Sequence, residues 1–169
     1  THWIDTHCTF PNSMVDRIVP GTGDADRQRI TERLGVQDAW PVVGEPYMNW
    51  VIEDKFAAGR PAWDSHGGAT FVRNAAPYER LKLRMVNGPH STFAYLGALL
   101  GHQTISQSVQ TPALCGFVDA MMRLEIAPTL KGIPHSGLDE YRRRFLARIA
   151  NPALPHPTSQ VAMLSLIHI

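Results

Sequence analysis

Cysteine is scarce in this chain: Cys8 and Cys115 are the two in 169 residues. Two thiols so far apart exclude a disulfide framework and a cysteine-based metal knot. Set among apolar neighbours, they read as small buried hydrophobes, which suits a reducing cytosol and a cytoplasmic protein. No apolar run reaches the roughly 18 residues that a membrane span needs, and the opening residues do not read as a secretory signal. Charge of one sign is also lacking. Sixteen Lys and Arg stand against fifteen Asp and Glu, a net +1, so neither nucleic acid nor an anionic membrane is an expected partner. The basic residues are dispersed except for Arg142–Arg144, which reads as a solvated helix face. There is no internal repeat and no low-complexity tract. What is present is 44% apolar and 18% charged residues, the balance of a globular domain long enough to bury a core.

Along the chain, a short amphipathic start leads to residues 9–20, fenced by Pro11 and Pro20 and therefore extended or loop-like. Asp16-Arg17 is the first place where charge interrupts an apolar run, either as an ion pair beside a loop or as the lining of a site. Gly21-Thr22-Gly23 begins like a dinucleotide loop, but position 26 is Asp and no parallel strand leads into it. Asp24 reads instead as the N-cap of an exposed helix over 25–34, stopped by Gly35. Short strands are expected at 39–43 and 50–53 around Gly44-Glu45-Pro46, and another at 69–72. Residues 56–63 and 66–68 read as loops, with His66 a ligand, a base or simply an exposed histidine. From Pro77 the period is helical, with further helices expected at 91–100, 112–124, 125–130 and 138–150, and a turn-rich linker over 151–155 leads to 159–164. The expectation is a mainly α chain, its second half a helical bundle behind a mixed loop-and-strand region. The ends read as cut: Thr1 falls within an amphipathic element, and the chain closes on an apolar string.

One stretch, Pro77–Ser91, PYERLKLRMVNGPHS, concentrates the chemistry. Lys82, Asn87 and His90 follow K-x4-N-x2-H, with Glu79 three residues before the lysine. On an ideal helix at about 100° per residue, Glu79, Lys82, Val86 and His90 share one stripe, with Asn87 at its edge. The surrounding Tyr78, Leu81, Leu83, Met85 and Val86 are apolar, and burying this polar set demands partners for each group. The plain alternative is a surface helix with scattered polar residues. Pro89 is expected to open or kink the helix at the Asn87–His90 corner, because it cannot donate to the Met85 carbonyl.

A lysine in an apolar cleft can act as a general base, because burial disfavours the ammonium. An Asn amide and a His N–H can stabilise charge developing on an alkoxide or carbonyl oxygen. Together they suit interconversion of a secondary alcohol and a ketone, provided that a nicotinamide or similar cofactor takes the hydride. Zinc is the other common way to activate an alcohol, and no Cys/His set here has the spacing for a metal. Schiff-base chemistry at Lys82 is open but is not demanded by its neighbours.

The sequence resembles the long-chain polyol dehydrogenases, the mannitol dehydrogenase and fructuronate reductase family. The resemblance rests on TFPNSMVDRIVP (9–20), EPYMNWVIEDKFAAGRPAWD (45–64), PYERLKLRMVNGPHS (77–91), YLGALLG (95–101) and RIANPAL (148–154), in that order. It implies an NAD enzyme, with NADP the alternative, whose Rossmann-type domain precedes a helical catalytic domain. On that resemblance, residues 1–20 are the end of the Rossmann-type domain, 21–163 the helical C-terminal domain, and 164–169 a non-native or truncated tail. Lys82 is the implied general base. Asn87 and His90 are implied to hold the substrate oxygen, and Glu79 to exchange protons with solvent. Val15, Asp16 and the adjoining Arg17 are implied to line the substrate site. The chemistry is implied to be metal-independent, on a small polyol or ketose, in a monomer or weak oligomer.

Departures from the family pattern accompany these implications. The phosphate-binding glycines have no counterpart, Arg73-Asn74 stands where an acidic residue is common, and Leu164–Ile169 replaces a D-G-S-x-K type segment. Asn12-Ser13 tilts the reading toward a mannitol-like polyol, with fructuronate or another sugar acid as the enzyme alternative. A non-catalytic helical binding module is the alternative of another class. The chain alone is expected to have negligible activity, for want of a place to hold the cofactor.

Overall fold

The computed structural model describes residues 2–131 and 135–163, and the expected non-native tail at 164–169 lies outside the described residues. Contacts divide the chain into two compact units. The first comprises Thr1–Ile18 and Pro46–Lys82, the second Val19–Glu45 and Leu83–Ile169. The chain is mainly helical, with a small sheet confined to the first unit.

The first unit opens with α1 (His2–His7) and carries β1 (Ser13–Asp16), β2 (Asn49–Glu53) and β3 (Ala69–Val72), with the short α3 (Trp63–His66) between the last two strands. The intervening helix, α2 (Asp24–Leu34), belongs to the second unit. β1 runs antiparallel to β2, placing Asp16 opposite Asn49, and β2 runs parallel to β3. Alternation along β1 buries Met14 and Asp16 and exposes Ser13 and Val15, as a pleated strand with one covered face requires. Met14, Val51 and Ala75 form a small core with Val72 against it. The helix α4 (Ala76–Lys82) closes the unit and packs on β1. At its centre, buried Glu53 accepts hydrogen bonds from Asn12 N (3.2 Å), Ala75 N (3.3 Å) and Lys55 Nζ (3.2 Å). Thus one carboxylate ties the loop before β1, the end of β2 and the entrance of α4.

The second unit contains α2 (Asp24–Leu34) and a helical array from Leu83 onward. The N-cap of α2 is Gly23, one residue earlier than expected, and Gly23 N donates to Asp26 Oδ2 at 3.2 Å. Gly35 ends α2 in the left-handed region at φ 71°, the conformation that favours glycine at a helix stop. The expected strand at 39–43 does not form; Pro41 can donate no ladder hydrogen bond, and Trp40 is exposed. Beyond Leu83 come a π-helical turn (Leu83–Asn87), α5 (Gly88–Leu99), α6 (Ile105–Gln110), α7 (Pro112–Met121), a second π-helical turn (Met122–Ile126), a 3-10 turn (Ala127–Thr129), α8 (His135–Ile149) and α9 (Thr158–Ala162). The single helix expected over 112–124 therefore ends as α at Met121.

α5 is the hub of this unit, in contact with the first π turn, α6, α7 and α9. Phe93 and Ala94 on α5, Val118 on α7, Met122 and Val161 are completely buried. A side chain at Gly97 would collide with Ser108 Oγ, so glycine is what lets α5 and α6 approach. Thr104 caps α6 by accepting from Gln107 N. The connection 102–105 is strapped to residues 156–158. Ile105 N donates to His156 O (2.9 Å), Thr158 N to Gln103 O (3.0 Å) and Thr158 Oγ1 to His102 O (2.7 Å). Glu45 and Arg148, both with buried side chains, form a bidentate pair, Nε–Oε2 3.0 Å and Nη2–Oε1 2.6 Å.

Two stability predictions follow from these carboxylates. The Asn12 amide first, then the Ala75 amide and Lys55, hold the Glu53 carboxyl below its ordinary value, against the opposing pull of burial. Because the folded value is the lower one, this stabilisation is complete above the unfolded carboxyl value, about 4.3, and vanishes as pH falls through the folded one. Acid unfolding should therefore be less steep in Glu53→Gln below about pH 4.3 than in the wild type, and equal slopes would contradict the assignment. For the buried pair, Arg148→Ala removes the guanidinium fork from the Glu45 carboxylate. It should cost about 3–5 kcal/mol in denaturant unfolding, whereas the Glu45→Gln, Arg148→Met double variant should recover much of that loss.

Candidate functional site

The helical run that begins at Ala76 carries the predicted residues, but not as the uninterrupted α-helix assumed for a single stripe. α4 ends at Lys82, the π turn occupies Leu83–Asn87, and α helix resumes at Gly88 with Pro89 in its first turn. Pro89 neither ends the helix nor opens it outright. A proline leaves the carbonyls one turn back without their usual donor, and the chain answers with a wider turn ahead of it. Met85 and Val86 are the buried residues of that turn.

In the first unit, Glu79 is exposed and Lys82 half-buried on α4. Because α4 packs on β1, the structure brings the element bearing Glu79 and Lys82 against the strand bearing Val15 and Asp16. Asp16 is 2% exposed, while Val15 is 51% exposed and Arg17 is exposed as well. Successive strand residues face opposite ways, so Val15 and Asp16 do not share a face. His66 sits exposed at the end of α3.

In the second unit, Asn87 closes the π turn half-buried, and His90 is buried in the first turn of α5. The His90 imidazole meets Phe145 of α8 edge-on, centroids 6.2 Å apart at 79°. It also meets His156, centroids 5.0 Å apart at 65°. Burial holds the His156 ring below the usual histidine range, on the neutral side. The sequence reading passed over His156 because it lies between Pro155 and Pro157, in a stretch that reads as a turn-rich connection. A histidine placed between two prolines that fix the backbone was the available signal. A cavity of about 200 Å³ elsewhere in this unit is lined by Met85, Met122, Leu138 and Arg142 among others. None of the predicted site residues lines it.

For a dinucleotide, the described residues offer no phosphate cradle. Gly21-Thr22-Gly23 leads into α2 with Gly23 as its cap, and no strand runs into it. Among the described residues, no cluster of three or more His, Cys, Asp or Glu side chains could hold a metal ion. No helix among them is long and apolar enough to cross a membrane.

Residues 1–65 match the family model for the mannitol dehydrogenase Rossmann domain, and residues 74–167 match that for the mannitol dehydrogenase C-terminal domain. The chain belongs to the mannitol dehydrogenase family. It is 46% identical over 161 residues to a D-mannonate oxidoreductase of Escherichia coli, covering 95% of this chain and 33% of that protein. To a mannitol 2-dehydrogenase of Pyrenophora tritici-repentis it is 41% identical over 163 residues, covering 95% and 29% respectively. The fold is similar to that of Pseudomonas fluorescens mannitol 2-dehydrogenase in its ternary complex with NAD and D-mannitol. The TM-score is 0.86 at 39% identity, over 95% of this chain and 32% of that one. The chain thus spans about a third of the length of the curated relatives it matches.

Proposed function

We propose that this chain is the part of an NAD-dependent polyol dehydrogenase that supplies its proton-transfer and oxyanion-binding groups. The observation that carries the reading is the family match, joined to the Lys-x4-Asn-x2-His set on the α4–π–α5 run. In this reading Lys82 accepts the proton of the substrate hydroxyl as the carbinol carbon gives up its hydride. Asn87 and His90 donate hydrogen bonds to the oxygen as it passes from hydroxyl to carbonyl, where preorganised donors act most strongly. Glu79, exposed three residues before Lys82, returns the proton to solvent. Val15, Asp16 and Arg17 contribute to the substrate site from the end of β1. NAD supplies the hydride acceptor and, in this reading, is held chiefly by residues outside this chain. The chemistry needs no metal, and the substrate is an open-chain polyol or its ketose.

A second reading, reduction of a sugar acid, is favoured by the 46% identity to a D-mannonate oxidoreductase. It keeps every role above and changes the group that the substrate carries beside the reacting carbon.

The test is NADH oxidation with fructose and then with fructuronate, by an enzyme of the relatives' full length that carries this segment. Fructose-dependent turnover should fall by about 10²–10⁴-fold in Lys82→Ala, the usual worth of a general base. Turnover with fructuronate alone would select the second reading. A variant as active as the wild type, or no turnover with either compound, would return the segment to the class of binding modules. The isolated chain should show negligible turnover, and tight NADH binding by it in a fluorescence titration would contradict the placement of the cofactor site.

A further inference from the structure

Three connections converge on the segment that carries His156. Its carbonyl accepts from Ile105 N, and the following Thr158 is bonded through both N and Oγ1 to Gln103 and His102. The flanking Pro155 and Pro157 fix φ on either side. Its backbone is thus anchored by more bonds than a connecting segment needs, and its ring lies 5.0 Å from that of His90. His156 Nδ1 is buried with no hydrogen-bond partner among the described residues, an expensive arrangement for a purely structural side chain. Phe145 covers another edge of His90.

We propose that His156 is a positioning residue for His90: its ring, carried on a backbone held by the 102–105 strap, fixes the plane of the His90 imidazole, biases its tautomer and confines the two rings to one proton. The idea rests on reading His90 as the donor to the substrate oxygen. Two imidazolium rings this close repel each other, so the pair titrates as a unit. Burial adds to this by disfavouring the charged form of His156. Charged groups on the other elements around α5 have partners of their own. Arg84 on the π turn donates to Thr129 O; on α7, Asp119 pairs with Arg142 and Arg123. On α8, Arg148 pairs with Glu45, Arg144 with Glu140 and Arg142 also with Asp139, while Arg143 is exposed. α6 and α9 carry no ionisable residue. A single, defined His90 tautomer would present the same N–H to the substrate oxygen in every turnover.

The test is nitrogen-15 NMR of the histidine rings in this chain between pH 5 and 8, with His90 assigned by its loss in His90→Asn. In the wild type, His90 should occupy one tautomer at pH 7.5. In His156→Ala its ring nitrogens should move toward tautomer-averaged positions, and its midpoint should shift by about half a pH unit or more. His156→Phe keeps the ring volume without the nitrogens and serves if the alanine variant does not fold. Failure of phenylalanine to restore the tautomer and midpoint would support the proposal by assigning the effect to the His156 nitrogens, and restoration of both would overturn it by assigning the effect to packing alone. An unchanged His90 tautomer and midpoint in His156→Phe, together with no change in any folded His156→Ala protein, would overturn the proposal. This readout is independent of turnover, so its failure would leave the polyol dehydrogenase reading standing. Conversely, an active Lys82→Ala enzyme would remove that reading while leaving the ring pair to be judged by its spectra.

Discussion

Proline 89 has no amide hydrogen, and that missing donor governs the stretch on which the chemistry is written. An α-helix running through Pro89 would strand a carbonyl one turn earlier. The chain instead takes a π turn over Leu83–Asn87 and resumes α at Gly88. Such turns are uncommon and occur often at functional sites. Here the turn lies between the proposed base at Lys82 and the proposed oxygen donor at His90, with Asn87 as its last residue. It is the one place in the run where backbone geometry departs from regular helix; Lys82 borders it, Asn87 ends it and His90 follows in the first turn of α5.

Around that run, each unit is tied by a buried carboxylate. In the first, Glu53 is satisfied largely by backbone amides; in the second, Glu45 is satisfied by the fork of Arg148. The Glu45–Arg148 pair is costly to disrupt, because the partner left behind would remain dehydrated. Close helix packing adds a steric condition. Gly97 lets Ser108 reach α5, and Ser108 Oγ in turn bonds His102 Nδ1 at 3.2 Å. The segment that carries His156 is strapped to that same corner. The surroundings of His90 therefore depend on a glycine seven residues away in sequence as well as on the aromatic residues that touch it.

Much of the fold was legible in the sequence because its signals are local. Gly35 stops α2, Pro77 lies in the first turn of α4, and short runs of strand-forming residues mark β2 and β3. The failures have local causes as well. The piece at 39–43 looked like a strand by apolar content, yet Pro41 cannot join a ladder. α6, Ile105–Gln110, went unrecognised because its residues are largely polar and its helix is only six residues long. The π turns leave no periodic trace, so the stripe through Glu79, Lys82, Val86 and His90 was drawn on a helix that is not regular. Lys82, Asn87 and His90 stood out through spacing and family resemblance. His156 did not, since its proximity to His90 comes from tertiary strapping that no local pattern encodes.

The central claim is that Lys82 moves the proton that accompanies hydride transfer. Chemical rescue tests it most directly, in an enzyme of full family length that carries this segment with Lys82→Ala. Added primary amines should restore turnover in proportion to their free-base concentration, with more basic amines restoring more at equal free base. Turnover that no amine restores, although substrate and NAD still bind, would contradict a proton-transfer role for Lys82.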